Sequence, residues 1–478
     1  MFWRRARGDS STTDRRVDAE RRLRDHAWPP ELLAALARIR NDGHRAVVVG
    51  GTLRDVLLGR PEDACADIAT DLHPEEVQRI FERVEPIGLA HGTVLIVGRT
   101  LRIECTTFRR EGAYTDARHP DRVEFTTELA ADLARRDLTV NAMAFDPDSG
   151  KLEDPFDGLG DLAVGILRAV GDPRERFFED ALRPVRVARF AATLEMEPEP
   201  ATRSAMGIVR DRAAQVAVER VRVEFEKLMQ APLPSVGWEM LRSAGLLELW
   251  MPELTRGHGV TQNRFHAWDV WDHGLHTCDA APVAKPEVRW AALLHDIGKV
   301  DTREWRDGDW TFYSHQKVGA QQADRLLERL RFPLETRARI VHLVAEHMFD
   351  YGPEWGDGAL RRWLRRVGVE NVADLFDLRI ADVLGNGLKT AFPAKLEAMR
   401  ERLETLMAED QALQVRDLDL GGEDVMRELG IGPGPAVGEV LESLLQRVLD
   451  DPSLNRRDRL IEILRDPREH PTKPYLTP

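Results

Sequence analysis

Apolar residues recur at helical spacing in PPELLAALARIRNDG, residues 29–43, and predict a helix that ends at Gly43. RAVVVGG, residues 45–51, then reads as a short buried strand entering a glycine turn. HPEEVQRIFERV predicts a second helix, whereas GTVLIVG, TLRIECTTF and DRVEFTT run apolar or alternate as strands do. The N-terminal third is therefore mixed α and β. From about Asp172 long amphipathic segments take over, among them FFEDALRPVRVARFAATL and VERVRVEFEKLM, and strand signals nearly vanish. The pattern predicts an α+β chain: an α/β head followed by a helical neck, a histidine-rich helical domain and a small helical tail. The joints are expected at QAPLPSVG, DYGPEWGDG and GIGPGPAVG, where proline and glycine cluster, and no fixed-period repeat is present.

Composition narrows this picture little. The 478 residues are 42% hydrophobic and 31% charged, ordinary for a globular chain, with no apolar run of membrane-spanning or signal-peptide length, so the expected compartment is the cytoplasm. Three cysteines without a CxxC pair support neither a disulfide framework nor a thiolate zinc site. The net charge of −14 is compatible with RNA binding through a local basic surface, and the arginine-rich opening reads as a solvated, flexible leader.

Several stretches carry chemistry. In VVVGGTLRDVLLGR, Gly50 and Gly51 stand between a strand and a helix, where missing side chains let phosphate oxygens approach backbone N–H groups and Arg54 adds charge. Asp67 and Glu104 supply carboxylates of the kind that hold magnesium in phosphoryl-type transfer, which clusters oxygen ligands around two ions. Asp180 and Arg183, three apart in an expected continuous helix, fall on one face, with Arg186 and Arg189 extending the row. An acid beside an arginine offers an acceptor and donors to a base edge. Further on, His273, His295, Asp296 and Asp382 lie on successive helix-like segments, and imidazole with carboxylate suits a divalent transition metal for phosphoester hydrolysis.

GGTLRD, DIATD, ECTTFRREGAYTDARHPDRVEF, LARRDLTVNAMA, DPFDGLGDL and RAVGDPRERFFEDALRPVRVARF occur in that order between about Ala46 and Phe190. Together they resemble the bacterial class II tRNA nucleotidyltransferase and poly(A) polymerase family. The resemblance implies a polymerase-beta-like head and template-free addition of CMP and AMP, from CTP and ATP, to the tRNA 3′ end, with Mg2+ at Asp67 and Glu104. It implies further that Gly51 and Arg54 touch nucleotide phosphates, and that Arg136 and Asp137 contact sugar and phosphates. By the same resemblance Asp180 and Arg183 bond the incoming base, Arg186 and Arg189 complete the nucleotide site, and Arg109–Asp121 is a flexible loop that helps the change from C to A. Residues from about Arg264 to Gly385 resemble the HD phosphohydrolase domain fused to some members, which makes His273, His295, Asp296 and Asp382 metal ligands and places His315 and His347 where a second site is completed. The expected divisions are a leader at 1–28, head at 29–165, neck at 166–240, HD domain at 241–395 and tail at 396–478. Two alternatives stand beside CCA addition: a poly(A) or A-only adding enzyme, and an RNA-binding head joined to an active HD phosphohydrolase.

One departure stands out in GRPEDACADIATD, residues 59–71: where the family has an Asp-x-Asp pair, the first acid is Cys65. In a regular strand Asp63 lies about 13 Å from Asp67 and does not substitute. Only a bulge would bring it in, and the segment is one residue longer than usual after Pro61.

Overall fold

The computed structural model describes residues 12–61, 64–89, 92–111, 123–352, 354–388, 393–408 and 413–466. These fall into two compact units, one of residues up to Thr255 with Arg329–Arg331, the other of Arg256–Glu328 and the chain from Phe332.

The first unit is built on strands β1 (Ala46–Val49), β2 (Cys65–Thr70), β3 (Val84–Gly88), β4 (Thr93–Val97), β5 (Arg102–Thr107), β6 (Arg109–Glu111), β7 (Val123–Phe125), β8 (Ala144–Asp146) and β9 (Lys151–Glu153). Seven of them form one sheet in the order β3-β4-β5-β2-β1-β8-β9, and β6 pairs with β7 as a separate ribbon. Only β2 and β5 run parallel within the large sheet. The apolar run of β1 is fully buried, and Val47, Val49, Ala69, Phe108, Leu129, Leu133 and Ala144 form a core against the sheet. In β5 Ile103, Cys105 and Thr107 are buried while Glu104 and Thr106 turn to the other face, as a two-residue period requires.

Three expectations are corrected in this unit. Part of the leader is a helix, Thr12–Asp25, which buries Ala19 and Leu23. Arg16 and Arg24 donate to the carbonyls of Leu152 and Gly150, while Glu20 accepts from the Leu152 amide, so backbone pairing fixes what composition made look solvated. The helix expected from His73 to Val84 stops at Ile80, because Phe81 is extended and Val84 joins β3. The long segment from Phe177 to Leu194 is two helices, Pro173–Glu179 and Arg183–Leu194, separated by an extended Asp180. Pro184 explains the break, since its ring and missing N–H suit the first turn of a new helix and not the middle of a long one. A two-residue pairing of β10 (Ile166–Leu167) with β11 (Glu197–Pro198) ties the neck together.

In the second unit, helices Val270–Ala280, Pro286–Leu294, Leu334–Glu346 and Val372–Gly385 pack around Trp271, Cys278, Trp290 and Leu375. A hairpin interrupts the helices: β12 (Glu304–Arg306) pairs with β13 (Asp309–Thr311). Its turn residues Asp307 and Gly308 have φ of 50° and 83°, the left-handed pair that favours Asp-Gly between aromatic strands. The expectation of a mostly helical region did not single it out, although EWRDGDW carries that signal. The tail folds helices Gly422–Leu429, Pro435–Asp450 and Arg457–Arg465 over Val425, Leu444, Leu445, Leu449 and Leu460. No described helix is long and apolar enough to cross a membrane.

Candidate functional site

The parallel register of β2 and β5 sets Asp67 directly beside Glu104 on one face of the sheet. Both line a cleft of about 870 Å³ with Arg54, Arg136, Arg186 and Lys227. Gly50, at φ +66°, turns the chain from β1 into helix Gly50–Leu58; a Cβ there would sit 3.0 Å from Arg136 Nη1 and 3.1 Å from Asp67 Oδ2. The Gly51 amide donates to Asp67 Oδ2 at 3.1 Å, and the Asp67 amide donates to Thr52 Oγ1. The glycine pair therefore admits the carboxylate at the mouth of the helix, and the Gly51 amide is engaged by an acid of the protein. Burial pushes the Asp67 carboxyl above its ordinary range despite Arg136 and the Gly51 amide. Glu104 is raised by burial and then by the Asp67 charge beside it. Two half-buried acids side by side, the charge of one raising the other, form a place for a cation.

Around this floor lies a network of arginines and acids. Arg54 donates to Asn141 Oδ1 at 2.6 Å and to Asp55, and Arg136 donates to the buried Asp132. Asp137 faces inward, where it accepts from Arg186 at 2.8 Å and from Asn141 at 3.0 Å. Burial opposes its charge, but Arg186 and these hydrogen bonds hold it well below the usual carboxylate range. Arg189 lies 3.7 Å from the Phe190 ring centre and 2.6 Å from Glu224, an ion pair whose angles fall short of a hydrogen bond. Burial lowers Arg189 to about 10.

Asp180 and Arg183 both line the cleft, but they do not share a helix face. Arg183 starts its own helix and donates to the carbonyls of Arg176 and Arg135 and to Glu179. The partner of Asp180 is Arg220, at 2.8 Å between Nη2 and Oδ2. Sequence reasoning missed Arg220, Glu224 and Lys227; their spacing of four and three on helix Val218–Leu228 marks a single polar face that would have pointed to them.

Cys65 opens β2 opposite Arg102 and is exposed, and β2 runs in unbroken register with β5 from Cys65 to Thr70. Asp63 lies outside the described residues, as do residues 112–121 of the expected loop Arg109–Asp121, whose first residues Arg109–Glu111 pair as β6 with β7.

The second constellation is tighter. His273, His295 and Asp296 are almost wholly buried, with Asp382 beside them. His273 Nε2 lies 3.2 Å from His295 Nε2, 3.4 Å from Asp296 Oδ2 and 3.2 Å from Asp382 Oδ1. Neighbouring ligands of one ion, with bonds of about 2.1 Å, stand about 3 to 3.4 Å apart. His315 Nε2 lies 3.3 Å from His347 Nε2 and 3.3 Å from Asp296 Oδ1. Asp296 thus turns one oxygen to each histidine pair, as a bridging carboxylate does.

The outer contacts fix every ring. His295, His315 and His347 each direct Nδ1 to the carbonyl three residues earlier, at 2.8, 2.8 and 2.7 Å, and His273 Nδ1 faces the Gly385 carbonyl at 3.3 Å. A carbonyl only accepts, so each Nδ1 carries a proton and the Nε2 atoms converge on one another. Such convergence calls for a cation. In its place charge is balanced within the protein: Lys299 reaches Asp296 at 2.5 Å, and Arg379 pairs with Asp382. Burial opposes the charge of both acids, but His295 and Lys299 around Asp296, and His273 with His295 around Asp382, hold them well below the usual range. His347 falls to about 3 through burial and the neighbouring imidazoles. His266, which sequence reasoning did not single out, has a ring nitrogen within 4.8 Å of the ligand atoms of His273 and Asp296.

Comparison with known proteins matches three segments. The Poly A polymerase head domain matches residues 46–168, the probable RNA and SrmB-binding site of polymerase A matches 195–257, and the HD domain matches 265–387. A CCA-adding enzyme of Streptococcus gordonii is 34% identical over 420 residues, which are 88% of this chain and 93% of that one. A CCA-adding enzyme of Levilactobacillus brevis is 33% identical over 435 residues, 90% of this chain and 96% of its own. The chain belongs to the CCA-adding enzyme family. A crystal structure of the Bacillus stearothermophilus CCA-adding enzyme in complex with CTP shares the fold with a TM-score of 0.70 at 28% identity, over 91% of this chain and 97% of that one. In this CCA-adding family member the acid floor lies in the matched head, and the histidine cluster lies wholly within the matched HD segment.

Proposed function

We propose that this chain is a cytoplasmic CCA-adding tRNA nucleotidyltransferase, which joins CMP and AMP from CTP and ATP to the 3′ end of tRNA without a template. The observation that carries this reading is the Asp67–Glu104 pair at the floor of an arginine-lined cleft. In the reaction the tRNA 3′ oxygen bonds to the α-phosphorus, the bond between α-phosphorus and bridging oxygen breaks, and pyrophosphate leaves. Asp67 and Glu104 would hold Mg2+, a hard ion commonly kept by one or two carboxylates plus substrate phosphates, so this pair fits it despite Cys65. When bound, magnesium supplies charge that offsets the reacting phosphate oxygens.

Arg54, Arg136 and Arg189 would face the phosphates, with Gly51 giving the close approach. Asp137 would contact the sugar and phosphates together with Arg136, and Arg186, which bonds Asp137 at 2.8 Å, would complete the site with Arg189. Asp180, oriented by Arg220, and Arg183 would bond the base edge and select C and then A. We assign these roles to a head of 29–165 and a neck of 166–240, followed by the HD domain at 241–395 and the tail at 396–478.

In the HD domain, His273, His295, Asp296 and Asp382 would hold a divalent transition metal, and His315 with His347 and the second oxygen of Asp296 would hold another. Imidazole donors fit such ions. Bound there, the metal supplies Lewis-acid polarisation of a phosphoester, and the site would hydrolyse phosphate esters of nucleotides or RNA ends.

The test is incorporation of labelled CTP and ATP, singly and together, into tRNA lacking its CCA end with Mg2+ present. Addition of C, C and A that then stops is the expected result. Addition of A alone, or of a long A tract, would replace this reading with the A-adding or poly(A) alternative. No incorporation beside retained tRNA binding would leave the HD domain as the centre of activity.

A further inference from the structure

Among the described residues five large aromatic side chains are exposed: Phe178, Phe265, Trp268, Trp305 and Tyr313. Four of them fall between residues 265 and 313, around the histidine cluster. Trp305 is 61% exposed and Tyr313 70%, which removes hydrophobic burial as the reason for their presence.

Two of these four, Phe265 and Tyr313, come with a guanidinium, and so does Trp310, the hairpin partner of Trp305. Arg303 lies 3.5 Å from the Trp310 ring centre, Arg306 lies 5.5 Å from Tyr313, and Arg264 lies 5.0 Å from Phe265. The pieces are joined: Trp305 meets Trp310 edge-on across the hairpin at 5.0 Å, and the Arg264 amide reaches Asp309 at 3.4 Å. The cross-strand tryptophan pair accounts for the stability of the hairpin. It does not account for Tyr313 and Phe265 beyond its end.

The hairpin is also rooted in the histidine cluster on both sides. Its leading strand follows the short helix Lys299–Thr302, and Lys299 contacts Asp296. Its trailing strand leads to Phe312, whose carbonyl accepts from His315 Nδ1 and whose ring lies 5.4 Å from Lys299 Nζ. Strands of three residues extend only about 10 Å, so the aromatics stand within reach of a base whose phosphate is held at the cluster.

From this juxtaposition we infer that the hairpin Glu304–Thr311, with Tyr313 and Phe265, is a stacking platform for the nucleobase attached to the phosphoester that the histidine cluster acts on. Alternating aromatic and guanidinium planes accept any base by its π face, which is how proteins hold single-stranded ends without reading sequence. The inference rests on the phosphohydrolase reading of the cluster and specifies its substrate class: a phosphoester next to an unstacked base, at an unpaired RNA 3′ end or on a free nucleotide.

The experiment uses the full chain with Mn2+ or Ni2+, a 3′-phosphorylated pentaadenylate, adenosine 3′-monophosphate, and ribose 5-phosphate, which has no base. In the variants Trp305→Ala and Tyr313→Ala, KM for both base-carrying substrates should rise about tenfold or more, with kcat and ribose 5-phosphate hydrolysis unchanged. A larger rise for the pentaadenylate than for the mononucleotide identifies an RNA end as the source, and an equal rise identifies a free nucleotide. Unchanged KM for both overturns the platform. If the unaltered chain hydrolyses none of the three, the phosphohydrolase reading fails, and the platform is then judged by photocrosslinking of a pentaadenylate with a 3′-terminal 8-azidoadenine. Crosslinks to residues 304–313 sustain it, and crosslinks confined to other segments overturn it.

Discussion

The acid floor of the cleft and the histidine cluster both gather ligand atoms in buried places, yet they leave their carboxylates in opposite states. Asp67 and Glu104 are raised, because burial outweighs the arginines nearby and, at Glu104, the Asp67 charge adds to it. Asp296 and Asp382 are held low, because imidazoles, Lys299 and Arg379 surround them. The difference follows from how each site is assembled. Two adjacent parallel strands supply only acids, and their charge awaits a cation brought from outside. Helices packed into a bundle bring acids and their counter-charges together, so the cluster is balanced before any ion arrives. A site of the first kind suits ions that come and go with substrate phosphates, and one of the second kind suits a resident ion.

The sharpest way to break this comparison is to remove one acid from each site. Asp67→Ala should lower CMP and AMP addition by about 1,000-fold or more and leave phosphoester hydrolysis intact; Asp296→Ala should do the reverse. The two assays on the two purified variants decide it. If Asp67→Ala adds nucleotides at full rate, the floor assignment is wrong. If either variant loses both activities while remaining folded, the sites are not independent.

A second contrast concerns stability without metal. A raised acid contributes stability below its unfolded pKa and loses it as pH rises through the folded value. A lowered acid contributes above its unfolded pKa and loses it as pH falls. Near neutrality Asp67→Asn should therefore leave the metal-free chain as stable or raise stability by ~1 kcal/mol, since it removes a strained charge. Asp296→Asn should cost ~3 kcal/mol, since it strands Lys299 and the imidazoles. Chemical denaturation in a chelator at neutral pH compares them directly. Equal destabilisation by both would dissolve the electrostatic contrast.

Much of this was legible in the sequence, and the parts that were not have physical reasons. The head strands β1, β4 and β5 followed from hydrophobic pattern, and the coming together of His273, His295, Asp296 and Asp382 from residue types that rarely stand together without chemistry. The pairing of Asp180 did not. The expected single helix from Phe177 hid the break before Pro184, and with the break Arg183 moved to other partners. Arg220 lies 40 residues from Asp180, and only tertiary packing brings them together. The ring orientations of the histidines were equally invisible, because each depends on a backbone carbonyl, of Ala292, Phe312, Val344 or Gly385, that only the fold brings to it.

Arg220 gives the next prediction. If it orients Asp180 for the base, Arg220→Ala should reduce discrimination between CTP and ATP by about tenfold while tRNA binding holds, and Arg220→Lys should restore part of it. Asp180→Ala should scramble the choice at least as much. A uniform loss with both nucleotides, with selectivity intact, would make the pair a purely structural tie between neck helices.

The smallest effect is expected at Cys65. It opens β2 two residues before Asp67 and so shares its face, and it stands opposite the exposed Arg102. A thiol is a poor ligand for a hard ion, whereas a carboxylate here would add an oxygen to the floor. The new charge would be eased by Arg102, a cross-strand opposite pair of ~0.2–1 kcal/mol. Cys65→Asp should therefore lower the Mg2+ concentration for half-maximal nucleotide addition by about three- to fivefold, with a smaller change in the rate at saturation. An unchanged Mg2+ requirement would mean that Asp67 and Glu104 already complete the protein's share of the ligands, and the comparison would sharpen: the cleft would then be a floor of two acids that leaves the remaining oxygens to the substrate.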